Sequence, residues 1–481
     1  MKRFTIKTMA LLLVLIMVTI NGTVINAVSE AQEPEYIPIR ATFEALGADV
    51  QWNGEDRSIT VALPGGTLVF FADDQGFYAN NEAATLQHSV FIVDGVSFIH
   101  PDDFLYVLMR GISVEVDSHL SSTMLEANLL APLIMELSSV PGMVVAIVDA
   151  HEGFTWVQGF GYADTTQGIP VEGDTVFGIA SVSKPFTAIA VMQLVEDGII
   201  DLDVPIVEYL PNFSIQPSPT LGGNYRNITS RMLLTHTSGL PVQFHLETIF
   251  DYDYFSLDEH SPEFMNLFLE NLAQYYMEFP EDEVYSYSNN GYVLLGILVA
   301  AMTGDDNFFD DFVRYTNEHI FASAGMARSS FILDDSLMPH LATPYADANT
   351  PEEYIFPNGL PTGSMVSTGY DMARLMHILL NDDGELLAPG TISLMMQPHD
   401  FDFSDAGLEY GLGFAHFTTE NGFVAVGHNG QWHHYNAYML FDVDSGLGVF
   451  VANNSVTGLA ASNIMAFQLL QVAVMEKSEQ Q

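Results

Sequence analysis

The chain has no cysteine among its 481 residues, and 13 lysines and arginines against 61 aspartates and glutamates. Without cysteine there is no disulfide, no Cys-ligated zinc, no iron–sulfur cluster and no thiol nucleophile. The shortage of bases gives a formal charge of −48. It argues against nucleic acid and anionic membrane surfaces as partners, since both recruit clusters of Lys and Arg. Charged residues make up 15% of the chain and hydrophobic residues 48%. The imbalance therefore comes from missing bases more than from added acid, and the composition is that of a folded protein. After the N-terminal segment, no stretch reaches the ~18 consecutive apolar residues of a transmembrane helix. Tyr292–Met302 is of buried-core length.

What is present starts with an address. Lys2, Arg3 and Lys7 precede an apolar run from Met9 to Ile20, and a polar stretch ends in Ser29-Glu30-Ala31. A basic start, a short apolar core and a small-x-small site describe a secretory signal peptide over residues 1–31, cleaved after Ala31 or Ala27. The expected location is secreted or cell-surface, with no transmembrane anchor once the signal is removed. Only two lysines then remain, Lys184 and Lys477.

The length allows about two to four domains. In residues 35–115, Thr42–Leu46 reads as a short helix closed by Gly47. Asp49–Trp52 and Ser58–Leu63 read as strands around an Asn53-Gly54 turn, and a second hairpin at Pro64-Gly65-Gly66 leads into Thr67–Phe71. Pro38-Ile39-Arg40, Glu44-Ala45-Leu46-Gly47 and Val50-Gln51-Trp52-Asn53 resemble the copper amine oxidase N-terminal-like stalk domain, whose name does not imply copper. The resemblance implies a small β-rich spacer or attachment module, with cell-wall contact as its expected role. His88, His100 and His119 lie too far apart in sequence to suggest a local metal site and read as surface or packing histidines.

From about residue 118 to 478 the chain changes character. Gly142–Val148 and Thr155–Gly159 read as paired strands, and helical periodicity runs from Ser181 through Val195 to a Gly198 stop. Ser181 thus sits at a helix N-terminus with Lys184 one turn on, a spacing that brings two side chains together. The helix end supplies oriented N–H groups and a positive dipole. Ser-x-x-Lys is a weak pattern where lysines abound, but here they are scarce. Tyr287 and Asn289 lie in a polar loop opening the apolar run Val293–Ala301. Val426-Gly427-His428-Asn429-Gly430 precedes the strands Ala437–Asp442 and Gly446–Asn453.

Taken in order, these elements resemble the penicillin-recognising serine hydrolase superfamily, in the branch of class C β-lactamases, DD-carboxypeptidases, D-aminopeptidases and related esterases. Leu233–Pro241, Gly363–Arg374 and Tyr410–Phe414 extend the match. The resemblance implies an α/β (α+β) fold, an antiparallel sheet built from both ends of the domain, flanked by helices, with a helical insertion. It implies Ser181 as nucleophile, Lys184 with Tyr287 as the base system, and Asn289, His428, Asn429 and Gly430 as substrate contacts. The backbone N–H groups of Ser181 and Gln431 would form the oxyanion hole. No cofactor and no metal are implied.

The match departs at two places. His428 stands where true β-lactamases carry lysine. Because histidine titrates near 6.5, recognition of a substrate carboxylate is expected to be weaker and pH-dependent. Gln431-Trp432-His433-His434-Tyr435 replaces a Gly-rich turn, so bulky side chains either reshape the acyl pocket or cover the sheet edge. His433 and His434, read as strand neighbours, would point to opposite faces and hold no metal. No Gly-x-Ser-x-Gly elbow and no phosphate-binding loop occurs. His236 reads as a structural hydrogen-bonder. The expected function is a secreted serine hydrolase cleaving an amide or ester through a Ser181 acyl-enzyme, most simply DD-carboxypeptidase- or D-peptidase-like. An esterase, a slow wall-fragment binder and a surface-assembly protein built on the stalk are the alternatives. Substrates would be small peptides, esters or β-lactams.

Overall fold

The computed structural model describes residues 37–45, 48–63, 66–93, 95–100, 103, 107, 119–242, 264–304, 307–355, 360–404, 406–419 and 422–480. The signal-peptide segment, Leu46 and Gly47 at the first helix end, and Pro64-Gly65 in the second hairpin lie outside these residues. The chain divides into two compact units, residues 1–133 with 471–481, and residues 134–470.

The first unit carries seven strands: β1 (Ile37–Pro38), β2 (Asp49–Asn53), β3 (Ser58–Leu63), β4 (Gly66–Phe71), β5 (Asp74–Ala79), β6 (Glu82–Val93) and β7 (Val96–Ile99). They lie in the order β1-β7-β6-β5-β4-β3-β2, nearly a pure meander, as short strands joined by Gly, Asn and Asp turns dictate. The helix α1 (Ile39–Ala45) starts three residues before its expected position. Alternate residues Val50, Ile59, Val61, Leu68, Phe70 and Phe77 are buried with Phe43 of α1 and make the core of this unit. The β2–β3 link is a four-residue turn, Gly54–Arg57, with Arg57 at φ 58°. In the same unit, Glu476 accepts hydrogen bonds from the backbone N–H groups of Ser122 and Thr123 at 2.9 Å, capping the start of the helix Ser121–Ser138.

The second unit is organised by one antiparallel sheet: β8 (Gly142–Asp149), β9 (Phe154–Asp164), β10 (Ile169–Pro170), β11 (Glu409–Tyr410), β12 (Ala415–Thr418), β13 (Val424–Trp432), β14 (Tyr435–Asp442) and β15 (Leu447–Asn453). The order β10-β9-β8-β15-β14-β13-β12-β11 joins the two ends of the unit at the centre, where β8 pairs with β15, Val145 opposite Val451. Both central strands are buried throughout, which explains their unbroken apolar runs. The chain between them carries the other six strands of the sheet and a series of helices. Among these, α2 (Lys184–Glu196) and α3 (Asn289–Thr303) are buried along most of their length, as helices apolar on every side must be.

The helix α4 (Leu459–Gln480) lies in a stretch, Val456–Glu479, long and apolar enough to cross a bilayer, yet half of its apolar window is buried within the protein. There Phe467 packs edge-on against Phe417, and Asn463 donates to the Tyr438 hydroxyl.

Candidate active site

The sequence Ala180-Ser181-Val182-Ser183 forms a single tight turn running straight into α2. Its first residue, Ala180, is held at φ 47°, a left-handed conformation that costs a non-glycine residue about 1–2 kcal/mol. The turn sets Ser181, partly exposed, at the positive end of α2, with Lys184 fully buried beneath it. Lys184 Nζ lies 3.0 Å from Ser181 Oγ, so the spacing read from the sequence does bring the two together.

Two further acceptors hold the amine: Asn289 Oδ1 at 2.8 Å and the Thr362 carbonyl at 2.9 Å. Asn289 is the first residue of α3, whose start is fixed by the Ser288 side chain accepting from Gly291 N–H. Thr362, a contact that sequence reasoning missed, belongs to the short helix Leu360–Gly363. Among the described residues no carboxylate pairs with Lys184, and burial holds its pKa well below the ordinary lysine value of 10.5. A neutral amine has two N–H donors and one lone pair. Asn289 and Thr362 take the two donors, and the lone pair is left for the Ser181 hydroxyl proton.

Tyr287 is hydrogen-bonded to Ser181, and burial raises its pKa above the ordinary phenol value of 10. Its ring stands 4.8 Å from Lys184 Nζ. His236 holds this loop from behind. Its Nδ1 accepts from Ser288 N–H at 3.0 Å, its carbonyl accepts from Ser286 N–H, and its ring lies 4.3 Å from that of Tyr287. The structural reading of His236 therefore fits its contacts.

The strand β13 runs past the same turn. On its β12 side pairing ends at Gly427, and the backbone beyond approaches Ser181. A Cβ on Gly430 would stand 2.3 Å from the Ile179 carbonyl oxygen and 2.7 Å from Ser181 N. Only glycine fits, and this contact brings the neighbouring Gln431 backbone to the serine.

Two expectations about this strand need correction. His428 does not present a titrating imidazole to the cleft. It is 2% exposed, with Nδ1 at 2.6 Å from the Asn429 carbonyl and Nε2 at 2.9 Å from the Tyr410 hydroxyl. A carbonyl only accepts, so Nδ1 carries the proton and Nε2 accepts from Tyr410. Burial, with the Lys184 charge nearby, pushes the His428 pKa down to about 3, so the imidazole stays neutral at pH 7 and supplies no cation to a substrate carboxylate.

The second correction concerns His433 and His434. They are not strand neighbours but a two-residue turn between the paired Trp432 and Tyr435, with His433 at φ 44°. Of the bulky run, only Tyr435 turns inward, packing over Gly178 and donating to the Ala342 carbonyl. Trp432 reaches away to the Ile355 carbonyl. Bulk at this turn covers the hairpin tip rather than filling a pocket.

The Beta-lactamase family model matches residues 130–473, the stretch that contains every element of this site. The chain belongs to the beta-lactamase family. Ser181 and Lys184, in contact with each other, both lie within the matched residues. Residues 19–119 match the family described as Copper amine oxidase N-terminal domain, in keeping with the β-rich first unit. Among relatives, penicillin-binding protein 4* of Bacillus subtilis is 28% identical over 59% of this chain, and the chain spans 62% of that protein. Penicillin-binding protein 4 of Amycolatopsis lactamdurans is 29% identical over 67% of this chain and 82% of its own. Among solved structures, the octameric penicillin-binding protein homologue from Pyrococcus abyssi is 26% identical and superposes with a TM-score of 0.58, over 74% of this chain and 76% of its own.

Outside this site, separation in sequence does not keep two of the histidines of the first unit apart in space. His88 and His100, distant in sequence, stand beside each other in the first unit with Asp103. The β6–β7 hairpin returns the chain, pairing Phe91 with Phe98, and so brings the two histidines side by side.

Proposed function

We propose that this protein is a secreted acyl-transferring hydrolase, D-peptidase-like, that cleaves amides or esters whose leaving group carries no free carboxylate. The observation that carries the reading is Lys184, buried with no counter-ion among the described residues and hydrogen-bonded to Ser181, Asn289 and Thr362. In the proposed cycle the neutral amine takes the Ser181 proton as Oγ attacks the substrate carbonyl carbon. Backbone N–H groups of Ser181 and Gln431 receive the oxyanion, each such donor being worth about 3 kcal/mol. The proton then passes through Lys184 and Tyr287 to the leaving amine or alkoxide. Tyr287, kept protonated by burial, acts as a hydroxyl relay and not as a tyrosinate. Water hydrolyses the acyl-Ser181 ester by the same route reversed. Asn289 and Asn429 are the proposed amide contacts.

The preference for a neutral leaving group follows from charge. Lys184 is the cation acting on His428 and on His236, and catalysis needs it uncharged. The arginines of this unit are engaged elsewhere: Arg231 with Asp203, Arg314 with Asp311, Arg328 with Asp174, Arg226 against the Tyr225 ring and Arg374 beside Asp371. Residues 243–263, which follow Val242 next to Asn289, contain neither Lys nor Arg. Apart from Lys184, no described Lys or Arg of this unit is left to meet a free carboxylate, and the chain's charge of −48 makes a field that lowers association with anions.

The test compares N-acyl-D-Ala-D-Ala with N-acyl-D-Ala methyl ester and N-acyl-D-Ala-D-alaninamide. The two neutral leaving groups are expected to give kcat/KM at least about tenfold higher than the dipeptide acid, with the gap narrowing as salt screens the field. Equal or greater turnover of the free acid at low salt would contradict the reading.

A further inference from the structure

The first unit contains a cluster that hydrolysis does not use. His88, His100 and Asp103 each offer one donor atom, and the three atoms lie within 4.8 Å of one another. We propose that these residues bind one zinc ion. His88 Nδ1 is 3.0 Å from Asp103 Oδ2, and the same oxygen accepts from the His88 backbone N–H at 2.9 Å. The His88 and His100 rings are stacked, with centroids 3.7 Å apart and planes at 19°. Asp103 is 2% exposed, whereas His88 keeps 39% of its side-chain surface.

The chemistry of the set selects the ion. Two imidazoles and one carboxylate are the ligand types of zinc sites that keep a fourth position for water. Calcium and magnesium prefer all-oxygen shells with more ligands. Zinc with bonds of about 2.1 Å places tetrahedral ligands about 3.4 Å apart, so His88 Nδ1 and Asp103 Oδ2, at 3.0 Å, must open slightly and the widest pair, within 4.8 Å, must close by at most about 1.4 Å. A metal also lies in the plane of each imidazole that binds it, so one of the two stacked rings must turn about its Cβ–Cγ bond. Both rings stand partly exposed, which leaves room for that turn. The ion would tie the β6–β7 hairpin to the segment at Asp103.

The experiment uses the full chain, stripped with a chelator and titrated calorimetrically with zinc chloride in excess Mg2+, which occupies surface carboxylates. One equivalent of zinc is expected to bind, to raise Tm, and to be lost or weakened more than about 100-fold in both His88→Gln and His100→Gln. Circular dichroism checks that each variant is folded. Ester turnover at Ser181 is expected to be the same with and without zinc, which keeps this result separate from the hydrolase reading. No stoichiometric uptake by the wild-type chain would overturn the proposal. So would folded variants that bind zinc as tightly as the wild type.

Discussion

Replacing Lys184 by methionine is expected to lower kcat/KM for an ester substrate by about 10^2- to 10^4-fold, the range associated with loss of a general base. Methionine fills a similar volume in this buried position, so a folded variant is expected and circular dichroism can verify it. Lys184→Arg is expected to fail equally, because guanidinium does not give up its proton near neutral pH. An arginine variant with near-normal activity would mean that positive charge, not basicity, is what Ser181 needs.

The pH profile carries the same argument with a definite sign. An ordinary lysine with a pKa near 10.4 is only about 0.04% neutral at pH 7. Burial lowers the pKa of Lys184, and the active form is the neutral amine. Activity should therefore fall tenfold per unit as pH drops below the lowered pKa, and level off above it. His428, at about 3, adds no step between pH 5 and 8. A step near 6.5 that disappears in His428→Gln would contradict its neutral, hydrogen-bonded state.

The second large effect is steric. Gly430→Ala would drive a methyl group to 2.3 Å from the Ile179 carbonyl oxygen and 2.7 Å from Ser181 N, both of them backbone atoms with little freedom to yield. β13 must then retreat from the nucleophile, taking the Gln431 N–H with it. A displacement of about 1 Å at a reacting centre costs on the order of 100-fold, and a lost oxyanion donor costs about 10^2–10^3-fold in kcat. The expected result is a fall in kcat of that size with a much smaller change in KM. Unchanged kcat in Gly430→Ala would remove β13 from the oxyanion role.

Much of this arrangement was legible in the sequence because it is written in local patterns. The apolar runs of β8 and β15 announce central strands. Ser181 and Lys184 declare their contact by a spacing of one helical turn, and the lysine stands out because so few others exist. What was not legible depends on backbone and register. The Thr362 carbonyl that holds Lys184 is a main-chain atom, which any residue at that position would provide. The inward turn of His428 depends on which face of β13 meets Tyr410, and periodicity alone does not name the face. His433-His434 read as strand neighbours, yet pairing of Trp432 with Tyr435 makes them a turn. His88 and His100 meet only because the β6–β7 hairpin folds the chain back on itself.

The central claim is that Ser181 forms a covalent acyl-enzyme. Intact mass spectrometry of the protein and its Ser181→Ala variant, each incubated with a penicillin and with a p-nitrophenyl ester, tests it directly. The account predicts a mass increase equal to the bound acyl group on the wild-type chain with at least one of the two, together with ester turnover, and neither on the variant. An adduct or turnover that persists in folded Ser181→Ala would contradict it, as would a folded wild-type protein that acquires no mass and turns over neither compound.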